Sequence, residues 1–307
     1  MQQALQTLTG PSLKRLAFLL GASGGANKAT KVGAIAQQVA LFDRLGSNDT
    51  TTFTSIDTGV INLAVASVVC RGNTSIPTLS YWNKTNLEQR FRKGETLALA
   101  PEQTALLATQ VANDLTTTPE LRNTSLFTIE KQRTRTVGSS AVSDPILKLN
   151  IMEHLLYAGL TQNLHRTVVS SDPGRMTRYW VPKERETATG LKSKRLRVDF
   201  VRQIILGDNS KLLQLDPELK HAIHTYKNTP RRGRIPSLFD ALQLHEPLNG
   251  VRKDDDLTDA LLHALAWAHW YNTYMDMRQC LSGTNTELTH FIDERYHHWQ
   301  TDVALAI

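Results

Sequence analysis

Cysteine is nearly missing: Cys70 and Cys280 are the only two in 307 residues. They lie far apart and fit neither a CxxC pair nor a zinc-ligand spacing, which argues against a disulfide framework and for two incidental thiols in a reducing compartment. Long apolar runs are also missing, and none approaches the roughly 18 residues of a membrane span. The nearest candidate, Leu16 to Ala22 behind Lys14 and Arg15, is too short, and the residues after it read as a helix pair rather than as export machinery. Acidic residues are absent from the first forty positions, which carry Lys14, Arg15, Lys28 and Lys31. There is no internal repeat and no low-complexity segment. What is present is 40% hydrophobic residues, enough to pack a core, in a length that suits one large domain or one large and one small. The formal charge of +6 and pI near 9.3 tilt the chain towards a polyanionic partner.

Leu13, Leu16, Ala17 and Leu20 recur at helical spacing after Pro11-Ser12. Ser23 to Asn27 breaks the pattern, and a second helix is predicted from about Lys28 to Phe42, which together make a small helical hairpin with a basic turn. The polar stretch Gly46 to Thr52 reads as a linker, dividing the chain into residues 1–46 and 52–307. Beyond it, Phe53–Asp57 and Leu63–Cys70 read as two strands of a hairpin turning at Thr58-Gly59. Ser125 to Glu130 reads as a buried strand after a helix from about Pro101 to Leu115. Further helices are expected from about Asp144 to Ala158 and from about Asp256 to Tyr274. Residues 166–197, with nine Lys or Arg against three acids, read as basic and irregular. The segment Val198 to Leu206 suits either a strand or a helix.

Acids stand at the edges of these elements. Asp57 ends one apolar strand, Glu130 ends another, and Asp255, Asp256 and Asp259 open the last strong helix. Residues three or four apart share a helix face, so Asp259 can point to one spot with either Asp255 or Asp256. Each acid has a structural use of its own: a turn residue, a solvated strand end, or a negative charge at a helix N-terminus. Asp259 is the hardest to dismiss, because Ala260-Leu261-Leu262 comes directly after it in the apolar part of the helix. Carboxylates that converge repel one another unless a cation joins them, and hard divalent ions such as Mg²⁺ favour this oxygen set. A pair of such ions would activate water against a phosphodiester.

The segments Ser55–Ala64, Ile129–Arg135 and Lys253–Leu262, in that order, resemble the fungal mitochondrial Holliday junction resolvases, relatives of bacterial RuvC within the ribonuclease H-like fold. Asn150–Ala158 resembles the helix that comes after the catalytic Glu in that family, and Leu13–Ala17, Leu20-Gly21 and Gly25–Lys28 resemble a SAP-type DNA-binding motif. The resemblance implies an α/β, ribonuclease H-like mixed five-stranded sheet flanked by helices, with a small N-terminal helical hairpin. It implies a homodimer that makes paired symmetrical nicks across a four-way DNA junction in mitochondrial recombination and repair. Mg²⁺, with Mn²⁺ as a substitute, would be the cofactor, with no organic cofactor and no membrane partner. Asp57, Glu130 and Asp259 would hold metal. Asp255 and Asp256 compete for a fourth catalytic position, and Asp256 is counted with the metal ligands.

Phosphate contacts dominate the affinity of such a protein. Candidates are Lys28 and Lys31 in the hairpin, Lys131, Arg133 and Arg135 beyond Glu130, Lys192, Lys194, Arg195 and Arg197, and the loop residues Arg231, Arg232 and Arg234. Tyr81-Trp82 and Tyr179-Trp180 suit either base stacking or packing. His263, one turn from Asp259, suits either proton transfer or a packed helix position. Three rival readings stand beside the resolvase: a ribonuclease H or transposase-like nuclease on the same fold, an actin-like ATPase or sugar kinase suggested by Asp57-Thr58-Gly59, and a non-catalytic DNA binder. The second lacks its further Gly-rich phosphate loop, and the third has no need of converging acids.

Overall fold

The β-branched segments Thr50–Thr58 and Asn62–Arg71 are strands β1 and β2, paired antiparallel around a tight turn in which the Gly59 N–H donates to the Asn62 carbonyl. The structure is a computed structural model that describes residues 2–46, 49–59, 61–72, 76–92, 100–132, 144–164, 167–182, 192–207, 211–228, 237–242, 244, 254–280 and 285–305. Strand β3 (Thr78–Asn86) continues the antiparallel run beside β2. On its other side β1 runs parallel to β4 (Leu126–Glu130), which runs parallel to β5 (Thr167–Ser171). A two-residue strand, β6 (Gln214–Leu215), adds to the free edge of β3, so the order is β5-β4-β1-β2-β3-β6. The sheet thus has six strands rather than the expected five. The sixth is too short to carry any sequence periodicity.

Helices α1 (Gln2–Thr7), α2 (Gly10–Leu19) and α3 (Lys28–Leu45) precede the sheet. Helices α4 (Leu87–Arg92) and α5 (Pro101–Thr117) lie between β3 and β4, α6 (Asp144–Leu164) between β4 and β5, and α7 (Pro173–Trp180) and α8 (Ser193–Leu206) between β5 and β6. Helices α9 (Pro217–Asn228), α10 (Leu238–Ala241), α11 (Asp255–Cys280) and α12 (Asn285–Leu305) complete the chain. The ambiguous segment is the helix α8, whose buried Leu196, Phe200, Val201, Ile204 and Ile205 keep to helical spacing. Among the described residues of the stretch 166–197, regular structure replaces the expected irregular chain: β5, α7 and the start of α8, whose dense cations mask short apolar patterns. Asp172 caps α7 by accepting from the Arg175 N–H at 2.8 Å, with Pro173 behind it. Thr50 to Thr52 belong to β1, with Thr51 and Thr52 buried, rather than to a linker.

Alternation along the strands sorts the core into two layers. Ile56, Leu63, Val65, Phe127 and Ile129 face one way and pack with Leu107, Val111, Met152 and Leu156 of α5 and α6. Phe53, Ala64, Ala66, Val68 and Leu126 face the other way, against α11. That helix is buried almost all round, with Ala260, Ala264, Ala266 and Ala268 fully enclosed, and small residues let it lie close to the sheet. By the same parity Asp57 and Glu130 point to the α11 face. The β1–β4 register pairs Ile56 with Ile129, so the two acids are the next residues along neighbouring parallel strands.

The amino-terminal helices share this second layer. Leu13, Leu16, Val32, Ile35 and Phe42 belong to the same apolar cluster as Trp267 and Trp270 of α11, and Phe18 stacks on Tyr179 at 5.3 Å. A close approach occurs at Gly21, which leaves α2 with φ 66°, and a Cβ there would lie 2.2 Å from the Trp270 ring. Gly21→Ala therefore combines left-handed backbone strain with a clash and should lower unfolding free energy by at least about 2 kcal/mol. Gly24→Ala, with open space around its Cα, should stay within about 0.5 kcal/mol. Urea midpoints of the two variants test this: equal midpoints would show that α2 is not locked onto α11.

Candidate metal centre

Asp57, Glu130 and Asp259 each contribute one carboxylate oxygen to a group in which all three lie within 4.8 Å of one another. The first two come from the carboxyl ends of β1 and β4, the third from the second turn of α11. All three residues are half-buried. Burial, then the charges of Glu130, Asp256 and Asp259, push the Asp57 carboxyl well above the usual carboxylate range, and Lys84 opposes them. Burial alone would also raise Glu130, but the close contact and charge of His263, aided by Arg197, hold it below its ordinary value. Burial raises Asp259 too, against the opposing pull of Arg197.

Neighbours fix each acid. The Gln132 side-chain amide donates to the carbonyls of Thr58 and Glu130, at 3.3 and 3.4 Å, tying the ends of β1 and β4 together. The Gln132 N–H donates to Glu153 of α6 at 3.0 Å. His263 is fully buried. Its Nδ1 is 2.6 Å from Ser171 Oγ, which also accepts from Trp267 Nε1, and its Nε2 is 3.5 Å from Glu130 Oε2. Asp259 is held by a two-pronged fork: Arg197 Nε donates to Oδ1 at 2.8 Å and Nη2 to Oδ2 at 3.0 Å.

The triple aspartate separates into three different jobs. Asp254 is buried and structural. It accepts from Arg202, from the Ser237 hydroxyl and from the backbone N–H groups of Leu238 and Phe239. Asp255 turns to Lys194 of α8, which holds its carboxyl below the usual range although burial would raise it. Asp256 pairs with the buried Lys84 of β3 at 2.6 Å. Neither Asp255 nor Asp256 joins the three-oxygen cluster among the described residues. The charge of Asp256 adds to the upward push on Asp57.

Of the basic candidates, Lys28, Lys192, Lys194 and Arg195 are exposed and Lys31 is half-buried. Arg133, Arg135, Arg231, Arg232 and Arg234 lie outside the described residues. The aromatic pairs serve packing. Trp82, Tyr179 and Trp180 are buried, and the two indoles donate to the carbonyls of Leu257 and Leu262. Lys84, Ser171, Glu153 and Gln132 went unread in the sequence. Lys84 had a signal: the registers Asp57–Ala64 and Ala64–Lys84 set it in one cross-strand row with Asp57, across a small residue.

The donor set fits a hard divalent cation. It consists of carboxylate oxygens alone, and Glu130 Oε2 is buried without a hydrogen-bond partner among the described residues. The family described as mitochondrial resolvase Ydc2 / RNA splicing MRS1 matches residues 53–277. The chain is 32% identical to the mitochondrial cruciform cutting endonuclease 1 of Saccharomyces cerevisiae, an alignment covering 93% of this chain and 88% of that one. It is also similar to the crystal structure of the yeast mitochondrial Holliday junction resolvase Ydc2, with a TM-score of 0.58, 21% identity, and 90% of this chain and 99% of that one covered. That likeness shows the ribonuclease H-like fold.

The neighbouring aspartates should separate in stability. Asp254→Ala strands buried donors and should cost at least about 2 kcal/mol. Asp255→Ala, whose partner Lys194 is mostly exposed, should cost less than about 1 kcal/mol. Denaturant unfolding of both variants decides it, and a greater loss for Asp255→Ala would reverse the assignment.

Proposed function

The chain belongs to the family described as mitochondrial resolvase Ydc2 / RNA splicing MRS1, and from that premise we propose that it is a structure-specific endodeoxyribonuclease of mitochondria that resolves four-way DNA junctions by paired symmetrical nicks. The observation that carries this reading is the convergence of Asp57, Glu130 and Asp259. A protein that only binds nucleic acid, in splicing or on DNA, gains nothing from three carboxylates driven together at an electrostatic cost.

In this reading Asp57, Glu130 and Asp259 hold Mg²⁺, with Mn²⁺ able to substitute, and Asp256 is the fourth acid in preference to Asp255. Divalent cations bound there supply Lewis acidity towards the scissile phosphate and lower the pKa of an attacking water. Against the upward push of burial, His263, itself steadied by Ser171, holds the Glu130 carboxyl below its ordinary value. Gln132 keeps the ends of β1 and β4 in register beneath the site. Residues 1–46 are proposed as a SAP-like DNA-binding region and 52–307 as the catalytic part, a division of function within a shared core. Lys28, Lys31, Lys192, Lys194 and Arg195 are proposed to contact phosphates, together with Arg133, Arg135, Arg231 and Arg232.

Paired nicks require two active sites, hence a homodimer. Leu106 of α5 and Leu147 and Ile151 of α6 are the large apolar side chains most exposed among the described residues, and a second copy is proposed to cover them. Asp57→Asn, Glu130→Gln and Asp259→Asn should each slow cleavage of a labelled four-way junction by at least about 10²-fold while leaving junction binding nearly unchanged. Wild-type rates in these variants, or cleavage of an RNA–DNA hybrid in preference to the junction, would overturn the reading. A Leu147→Glu, Ile151→Glu double variant should sediment as a folded monomer and lose paired nicking. A double variant that stays dimeric would place the contact elsewhere.

A further inference from the structure

Both carboxylate oxygens of Asp259 are engaged by Arg197, and the surroundings of that fork give it a second meaning. Arg197 stands on α8 with Lys194 one turn before it. The two cations face Asp259 and Asp255, which lie one turn apart on α11. Lys84 answers Asp256 from the sheet. The acids of α11 nearest the centre are thus each met by a fixed cation. The Arg197–Asp259 pair is the better enclosed of the two helix-to-helix contacts, with 14% and 17% of the side chains exposed. The Arg197 Nη1 is steadied by the Thr177 and Ser193 hydroxyls at 3.3 and 3.2 Å.

A guanidinium there stands in for part of the positive charge that a divalent cation would bring, and it opposes that cation by like-charge repulsion. Arginine's planar fork suits a phosphodiester as well as a carboxylate. The approach is basic: Lys192, Lys194 and Arg195 are exposed around the start of the same helix. We propose that Arg197 is a latch on the metal centre, spanning Asp259 in the DNA-free protein and transferring to a DNA phosphodiester when substrate binds, so that metal binding is strengthened by DNA. Arg197 is in this sense a positioning residue. The inference rests on Asp259 being a metal ligand, as proposed above. By linkage, whatever factor DNA adds to metal affinity, metal must add to DNA affinity.

The test is Mn²⁺ titration of the full chain monitored by electron paramagnetic resonance, with and without a nuclease-resistant phosphorothioate four-way junction. Coupling between sites commonly amounts to about 5- to 150-fold, and the junction should tighten Mn²⁺ binding to wild-type protein by about tenfold. Arg197→Gln should bind Mn²⁺ about tenfold more tightly than wild type without DNA and gain little more with it. Arg90→Gln, which removes a partly exposed surface pair with Asp114, should stay within about twofold of wild type. Unchanged or weaker Mn²⁺ binding by folded Arg197→Gln overturns the latch, because a purely structural support for Asp259 would lower affinity when removed. Should Arg197→Gln fail to fold by circular dichroism, the wild-type arm decides: no tightening by the junction overturns the latch. Wild-type protein that binds no Mn²⁺ in either condition removes the metal centre itself. Mn²⁺ binding that Arg197→Gln leaves unaltered removes the latch alone.

Discussion

Three carboxylate oxygens within 4.8 Å of one another repel, and most of the surrounding structure answers that repulsion. At this separation, and at an effective dielectric of about 20, each ionised pair costs roughly 3 kcal/mol. Three cations and one histidine face the acids. Arg197 forks onto Asp259, His263 lies against Glu130, Lys84 pairs with Asp256, and Lys194 pairs with Asp255. Asp57 has no ion pair of its own among the described residues, and its carboxyl is driven well up. A site of this kind is destabilising in isolation, and a cation shared by the acids would relieve it.

The fold brings the acids together by simple geometry. A parallel β1–β4 pair sets Asp57 and Glu130 side by side at the same end of the sheet, and the period-two alternation sends both to one face. An alanine-lined helix then lies close enough on that face for Asp259 to reach them. Asp254 anchors the start of that helix by collecting donors from α8 and α10, so a residue outside the centre sets the register of the acids within it. The amino-terminal helices press on the middle of the same helix through Gly21 and Trp270.

The sheet's central hairpin, the strand before Glu130 and the long α11 helix are legible in the sequence because each carries a strong apolar period. So are the positions of the three acids, two at strand ends and one in the first turns of a helix. The partners are not. Which of three consecutive aspartates faces the centre depends on where α11 begins and how it is rotated, and one residue of helix turns a side chain by about 100°. Ser171 and His263 meet across 92 residues of chain, and no local pattern announces the pair. Arg197 reads as one more cation in a basic stretch, because a dense run of Lys and Arg hides which member turns inward. The helices α7 and α12 escape a reading of the sequence for a related reason: their apolar positions are few and set among charges.

Asp57, Glu130 and Asp259 are proposed to hold divalent metal together. Anomalous diffraction from Mn²⁺-soaked crystals of the wild-type chain tests it most directly. A peak touching an oxygen from each of the three residues is the predicted result, with Asp255 still turned to Lys194. A peak held by Asp255 and Asp254, or no peak in the centre at Mn²⁺ concentrations that support cleavage, would contradict it.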